Sequence, residues 1–213
     1  LNILNHQGFS TPDIQEIAMC SVVPPLTTTF VDLSQRYFHI TPLVVGAGVK
    51  TGVRIRMDNP REVGADRIVD AAAAHHLYGG PVIVVDLGTA TTFGIVSKEG
   101  DYIGGIIATG IATAAEALVT RTAQLPRVEL TRPKCVIGTN TVAAMQSGII
   151  FGYVGLVEGM VARIRDELGK KAMVVATGGY AELIAKETKI IDEVNPNLTL
   201  IGLRLIYLMN KLD

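Results

Sequence analysis

Three stretches of the sequence end a β-rich apolar run in glycine and hydroxyl residues. They are DLGTATT at residues 86–92, GGIIATGI at 104–111 and ATGGY at 176–180. Glycine and threonine at a strand end let backbone N–H groups and hydroxyls approach the oxygens of a phosphate chain, because little side chain stands in the way. One such stretch alone more often forms an ordinary tight turn. Three of them in one chain favour a phosphate-binding site.

Two aspartates accompany these stretches. Asp86 follows the apolar run PVIVV, where its carboxylate could hold a cation or the water shell of a cation against phosphates. Asp66 stands in the tetrapeptide GADR, where an ionised carboxylate could accept a hydroxyl proton and Arg67 could pair with a substrate carboxylate. From GADR alone, the plainer alternative is an acid that complements a helix dipole beside a surface ion pair.

Strands that alternate with helices must position these residues, and neither a repeat nor a low-complexity linker interrupts them. This order predicts a three-layer α/β architecture. The helix over 64–80 has clear start and stop signals, because it has an acid in its first turn and a glycine pair at its end. The predicted strands cover 17–23, 42–48, 81–86 and 172–177, with a hairpin over 91–111; the predicted helices cover 26–38, 64–80, 113–125, 139–168, 180–188 and 203–212.

Composition excludes several classes of protein. The 213 residues carry a formal net charge of -1 and no run of basic residues, so neither nucleic acid nor an anionic membrane surface is expected as a partner. Cys20 and Cys135 are the two cysteines, too few for a disulfide framework and typical of a reduced cytoplasmic protein. We expect no membrane span and no secretory leader. The first residue is not Met, so the sequence looks like part of a longer protein.

Seven segments together, in this order, resemble the type III pantothenate kinase family. They are CSVVPPL, PLVVGAGVKTG, NPREVGADRIVDA, VVDLGTATTF, GGIIATGI, IGTNTVAAMQSGIIFGYVGLVEG and VATGGYAELIA. The resemblance implies a member of the actin, sugar kinase and chaperone ATPase superfamily, with duplicated ribonuclease-H-like domains whose mixed sheets are flanked by helices. It implies transfer of a phosphoryl group from ATP to the primary hydroxyl of pantothenate, the first step of coenzyme A synthesis.

The resemblance also implies roles for single residues. The pantothenate pocket takes in Gly64, Ala65, Asp66, Arg67 and Thr141, with Asp66 in the place of the catalytic base. Contacts to ATP fall on Gly88, Thr89, Thr177, Gly178 and Gly179, and Asp86 matches the ligand of a monovalent cation. Without the resemblance, Thr141 reads equally well as a helix cap or first-turn residue.

The implied cofactors and partners are ATP, Mg²⁺, a monovalent cation such as K⁺ or NH₄⁺, and a second copy of the chain. We expect the apolar helix over 139–168 at the interface of a homodimer, the alternative being a central core helix. A second class of function also fits the fold, namely a noncatalytic nucleotide-binding or regulatory protein that kept the scaffold.

The sequence departs from the family pattern in several places. Met57 stands where the family usually has tyrosine, and Gly94 and Thr109 stand where many members have Asp and Pro. The family begins with a strand and a D-x-G-N-T phosphate loop, which is not found in these residues. We therefore assign residues 1–70 to the remainder of a first domain and 71–213 to a second, whose last helix returns to the first. On their own, these 213 residues are expected to show negligible kinase activity and to aggregate.

Overall fold

The computed structural model describes residues 2–211, and its elements alternate between strands and helices as expected. Two short 3₁₀ turns, Thr11–Asp13 and Pro60–Glu62, lie in the first third of the chain. The helices are α1 (Asn2–His6), α2 (Pro24–Phe38), α3 (Ala65–Tyr78), α4 (Ile111–Arg121), α5 (Thr141–Leu168), α6 (Ala181–Ala185) and α7 (Leu198–Lys211). The strands are β1 (Ala18–Met19), β2 (Leu43–Val44), β3 (Val82–Leu87), β4 (Ala90–Val96), β5 (Tyr102–Thr109), β6 (Met173–Thr177) and β7 (Glu193–Val194).

The central sheet has five strands in the order β5-β4-β3-β6-β7. Strands β3, β4 and β5 are antiparallel neighbours, whereas β3, β6 and β7 run parallel. In the ribonuclease-H-like arrangement, three consecutive antiparallel strands are followed by two further strands, which pair in parallel beside the first of the three. The sheet of this protein has that arrangement. This confirms the predicted mixed sheet. Strands β1 and β2 form a separate parallel pair.

Side chains alternate between the two faces of the sheet and so divide the core into layers. On β3, Ile83, Val85 and Leu87 pack in one cluster with Val157 and Val161 of α5. The intervening strand residues pack instead against the alanine-rich side of α3 and against Leu198, the first residue of α7. The sheet is therefore covered on both faces, which explains why β3 is apolar along nearly all of its length.

Helices α3 and α7 approach each other closely. A Cβ atom added to Gly202 on α7 would collide with the carbonyl oxygen of Val69 on α3, so glycine is required there. Helix α7 also contacts β1. The four consecutive alanines of α3 are buried, and their small side chains let the helix pack closely against the sheet.

Helix α5 corrects one expectation from the sequence. Its 28 residues are long and apolar enough to cross a membrane by length and composition, although no such segment was expected. The core helix of a soluble protein passes the same test, and α5 buries nine of its residues, among them Val157 and Val161 with no exposed surface. Its apolar character is accounted for by the core on this side of the sheet.

The predicted hairpin and the predicted helices over 64–80 and 139–168 are confirmed, with ends within two residues of those observed. Strands β1 and β2 are shorter than predicted, with two residues each. Helix α2 begins at Pro24, two residues before the predicted start, because proline fits the first turn of a helix. Helix α7 begins at Leu198, five residues earlier than predicted, and its predicted end at Leu212 lies outside the described residues.

Candidate active site

The three glycine-rich strand ends meet at the turn between β3 and β4. A Cβ atom on Gly110, which follows β5, would collide with the carbonyls of Gly88 and Thr89 in that turn. After β6, the backbone N–H of Tyr180 donates a hydrogen bond to the carbonyl oxygen of Leu87, at 3.2 Å. The structure therefore brings together the segments that the sequence singled out for phosphate contact.

The carboxylate of Asp86 lies between two of these glycines. A Cβ on Gly88 would stand 3.3 Å from its Oδ1 atom, and a Cβ on Gly178 would collide with the same atom. Gly178 also has a φ of +91°, which side-chain-bearing residues rarely adopt. Asp86 is paired in register with Thr92 on β4 and with Thr177 on β6. Two separate constraints thus require glycine at position 178.

Asp66 and Arg67 lie in the first turn of α3. The backbone N–H of Arg67 donates to Oδ1 of Asp66 at 2.8 Å, so the carboxylate folds over the start of its own helix. A Cβ on Gly64 would collide with that same oxygen, which explains the glycine of the GADR segment. The carboxylate is half-buried, and Oδ2 is left as an acceptor on the helix end where negative charge is favourable.

A third acid, Asp70, lies one helical turn after Asp66 and was not predicted as a site residue. Its side chain is 4% exposed, and it accepts a hydrogen bond from the Thr199 hydroxyl of α7 at 2.7 Å. Burial raises the pKa of Asp70 to about 7, against the effect of that hydrogen bond and with help from the charges of Asp86 and Asp66. Its spacing of four residues from Asp66 was the available signal.

Asp66, Asp70 and Asp86 form what we call the acidic cluster. Burial raises the pKa of Asp86, and the negative charge of Asp66 raises it further. At Cys20, just after β1, burial together with Asp66 and Asp70 raises the pKa of the thiol to about 11, so this cysteine stays protonated. Carboxyls from α3 and β3 therefore act electrostatically on one another across the space between helix and sheet.

The remaining predicted site residues fall into two groups. Gly88, Thr89, Thr177 and Gly179 lie at or next to the β3–β4 turn and the end of β6, although Thr177 is buried and Thr89 exposed. Thr141 lies elsewhere. It is the first residue of α5, whose cap is Asn140, and it lines a cavity of about 810 Å³ between α4 and α5.

A cavity of about 510 Å³ adjoins the glycine-rich end of β6. Tyr180 forms one wall, and Ala112, Ala115 and Val119 of α4 contribute small and apolar surface on the other. Among the described residues, no group of three or more His, Cys, Asp or Glu side chains is arranged to hold a metal ion by itself. A divalent cation at this site would therefore need ligands from its substrate or from water.

The fold defines a class, an α/β protein with a ribonuclease-H-like mixed sheet. A solved structure of a conserved Baf family protein from Campylobacter jejuni has this fold, with a TM-score of 0.66 at 20% identity over 100% of this chain and 90% of that one. The family model described as type III pantothenate kinase matches residues 1–163. The chain belongs to the type III pantothenate kinase family.

Named relatives agree with the family model. Two type III pantothenate kinases from Dehalococcoides mccartyi strains are 62% and 61% identical to this chain over 211 residues. The matches cover 99% of this chain and 80% and 82% of the two relatives. The resemblance first noted in short motifs therefore extends over nearly all of the sequence.

Proposed function

We propose that this protein transfers a phosphoryl group from ATP to the primary hydroxyl of pantothenate, with Asp66 as the base that accepts the hydroxyl proton. The reaction follows from family membership, and the residue roles are our assignment. One observation carries them: Asp66 acts electrostatically on Asp86, whose carboxylate sits in the glycine-lined turn. The proposed proton acceptor thus lies within electrostatic range of the turn that we propose to hold the phosphates.

Asp66 suits the role of base by its position. Its Oδ1 is held by the Arg67 N–H, which fixes the direction of the carboxylate and leaves Oδ2 for the substrate hydroxyl. Phosphoryl transfer depends mainly on positioning and on neutralisation of charge, so a strong base is not needed. Gly64, Ala65 and Arg67 line the same helix start, and the Arg67 guanidinium supplies a planar partner for the pantothenate carboxylate.

The phosphates of ATP are assigned to the β3–β4 turn. Thr89 offers a backbone N–H there, whereas the Gly88 N–H donates to the carbonyl oxygen of Ala90 at 3.1 Å and leaves room by having no side chain. The Thr89 carbonyl accepts a hydrogen bond from the Thr113 hydroxyl at 3.0 Å. Adenosine is assigned to Thr177, Gly178 and Gly179, next to the cavity walled by Tyr180. The absence of side chains at the two glycines would let base and ribose lie against the backbone.

Two cations complete the proposed site. Asp86 would hold a monovalent cation, K⁺ or NH₄⁺, because its carboxylate is half-buried between glycines and in the field of a second acid. Mg²⁺ would be shared with the phosphates of ATP, for which the acidic cluster offers negative charge. Bound cations neutralise charge that develops on the transferring phosphoryl group.

We further propose a cytoplasmic homodimer joined along α5. Gly148, Gly152 and Gly155 recur at helical spacing on this helix, and a Cβ added to any of them would meet no atom within 4 Å. The opposite side of α5 packs in the core, so the glycine side is free for another helix. The division into a first part at 1–70 and a second at 71–213 also remains our proposal, with α3 crossing the boundary.

Replacing Asp66 by asparagine tests the assignment. In the full-length protein, Asp66→Asn should lower turnover by about 10²- to 10⁴-fold in a coupled ADP-release assay, while ATP affinity by calorimetry stays nearly unchanged. Asp32→Asn, an exposed acid on α2, is the matched control and should retain full activity. An Asp66→Asn variant whose turnover stays within a few-fold of the parent's would show that Asp66 is not the base. A parent protein that binds ATP without pantothenate-dependent ADP release would favour the noncatalytic alternative.

A further inference from the structure

The ring of Tyr102, the first residue of β5, packs against two glycines, one on its own strand and one on the neighbouring strand β4. Gly94 on β4 and Gly105 on β5 are paired in register, and the ring covers both of them. A Cβ on Gly94 would stand 3.2 Å from Cε2 of the ring, and a Cβ on Gly105 would collide with the phenolic oxygen. The sheet is therefore shaped to receive this one side chain.

The hydroxyl of Tyr102 is buried without a partner. The side chain has no exposed surface, and among the described residues its Oη atom makes no hydrogen bond. Buried polar groups are nearly always paired, and an unpaired one destabilises the fold. Phenylalanine would fill the same space without this penalty. An unpaired hydroxyl in such a fitted place indicates a partner that arrives in another state of the protein.

Arg67 is the group placed to become that partner. Burial raises the pKa of Tyr102, whereas the positive charge of Arg67 and its closeness as a hydrogen-bond donor lower it, and the negative charge of Asp66 raises it. The guanidinium is thus near the phenol, but outside the geometry of a formed hydrogen bond. Arg67 also lines, together with Gly94, a cavity of about 10 Å³ between α3 and the sheet. A guanidinium can only donate hydrogen bonds, and a phenolic oxygen can accept one.

We propose that Tyr102 is a positioning residue whose hydroxyl accepts a hydrogen bond from the Arg67 guanidinium in the substrate complex, and so aims the arginine at the carboxylate of pantothenate. This rests on the proposed function, in which Arg67 binds that carboxylate. A guanidinium has five N–H donors, so one hydrogen bond to Tyr102 leaves a pair of N–H donors for a bidentate contact with the carboxylate. Met57, which packs in the same cluster as Tyr102, has no hydroxyl to offer.

Tyr102→Phe removes the hydroxyl and keeps the ring. We expect the KM for pantothenate to rise about tenfold, the KM for ATP to stay within twofold, and the melting temperature to stay equal or rise. The matched control is Tyr78→Phe, which loses a hydroxyl that is bonded to Asn195 at 3.0 Å. That variant should melt at a lower temperature while its KM for pantothenate stays the same.

A neutral substrate separates positioning of Arg67 from a general effect on the pocket. Pantothenol carries a hydroxymethyl group in place of the carboxylate, so Tyr102→Phe should leave its kcat/KM within twofold of the parent. In an Arg67→Ala background, the same change should no longer affect the KM for pantothenate.

Three results would overturn the inference. They are an unchanged KM for pantothenate in Tyr102→Phe, an equal loss with pantothenol, or a full additional loss in the Arg67→Ala background. A parent enzyme that does not phosphorylate pantothenate would instead overturn the proposed function, and this inference with it.

Discussion

Asp70 offers a direct test of the electrostatics of the acidic cluster. Replacing it by asparagine removes an ionisable group from a place with 4% exposure and keeps an oxygen that can accept the Thr199 hydroxyl. The change is nearly isosteric, so packing between α3 and α7 should persist. The variant therefore isolates the effect of the charge.

The size of the effect follows from the pKa of Asp70, which burial raises from 3.8 to about 7. Since the folded state holds the proton more tightly than the unfolded chain, unfolding becomes easier as pH rises from about 4 to 7. Each pKa unit corresponds to about 1.4 kcal/mol, which sets an upper limit of about 4 kcal/mol above pH 7. We expect Asp70→Asn to be more stable than the parent by about 2–4 kcal/mol at pH 8 and equally stable below about pH 4.

Urea denaturation at pH 4, 6 and 8, without nucleotide and with EDTA, measures this difference directly. Asp58→Asn is a suitable control, because Asp58 is an exposed acid in the segment that precedes α3. A variant at position 70 whose stability tracks the parent at every pH would refute the reasoning. It would mean that the Asp70 charge is already compensated in the folded protein.

Two further substitutions test the glycine-lined turn. Asp86→Ala should weaken the stimulation of the kinase by K⁺ or NH₄⁺, measured as rate against salt at constant ionic strength; an unaltered response would place the monovalent cation elsewhere. Gly178→Ala combines a φ of +91° with a collision against Asp86, so it should reduce ATP affinity by calorimetry at least tenfold, about 1.4 kcal/mol. Gly46→Ala, outside the proposed site and at a position where a Cβ meets no atom within 4 Å, is its control, and equal losses in both would contradict a role for the Asp86 contact.

The parts of the fold that could be predicted from the sequence are those whose ends or turns are marked by particular residues in the local sequence. The helix α3 has an acid in its first turn and a glycine pair after it, and the hairpin has a Lys-Glu-Gly turn. The short strands β1, β2 and β7 depend on pairing with distant segments. The local sequence pattern therefore predicted β1 and β2 as longer than they are and did not predict β7.

The candidate site was predictable in kind but not in full. Glycine and aspartate at strand ends pointed to the β3–β4 turn because close approach to a backbone needs small residues. Asp70 escaped notice because it stands between Val69 and a run of alanines, and its importance comes from Thr199, which is 129 positions away in the chain. Tyr102 looked like an ordinary strand residue, since only the register of β4 with β5 places a glycine pair beneath its ring.

The tight contact between α3 and α7 has a consequence for how the protein is made. Val69 and Asp70 meet Gly202 and Thr199, so this interface cannot form during translation until α7 has emerged from the ribosome. Contacts of such large separation along the chain form late in folding. The helix that carries Asp66 is therefore secured only after the sheet has been synthesised. A nascent chain can therefore complete the side of its core that packs on α5 before it completes the side that carries Asp66, which needs Leu198 and Ile206 of α7.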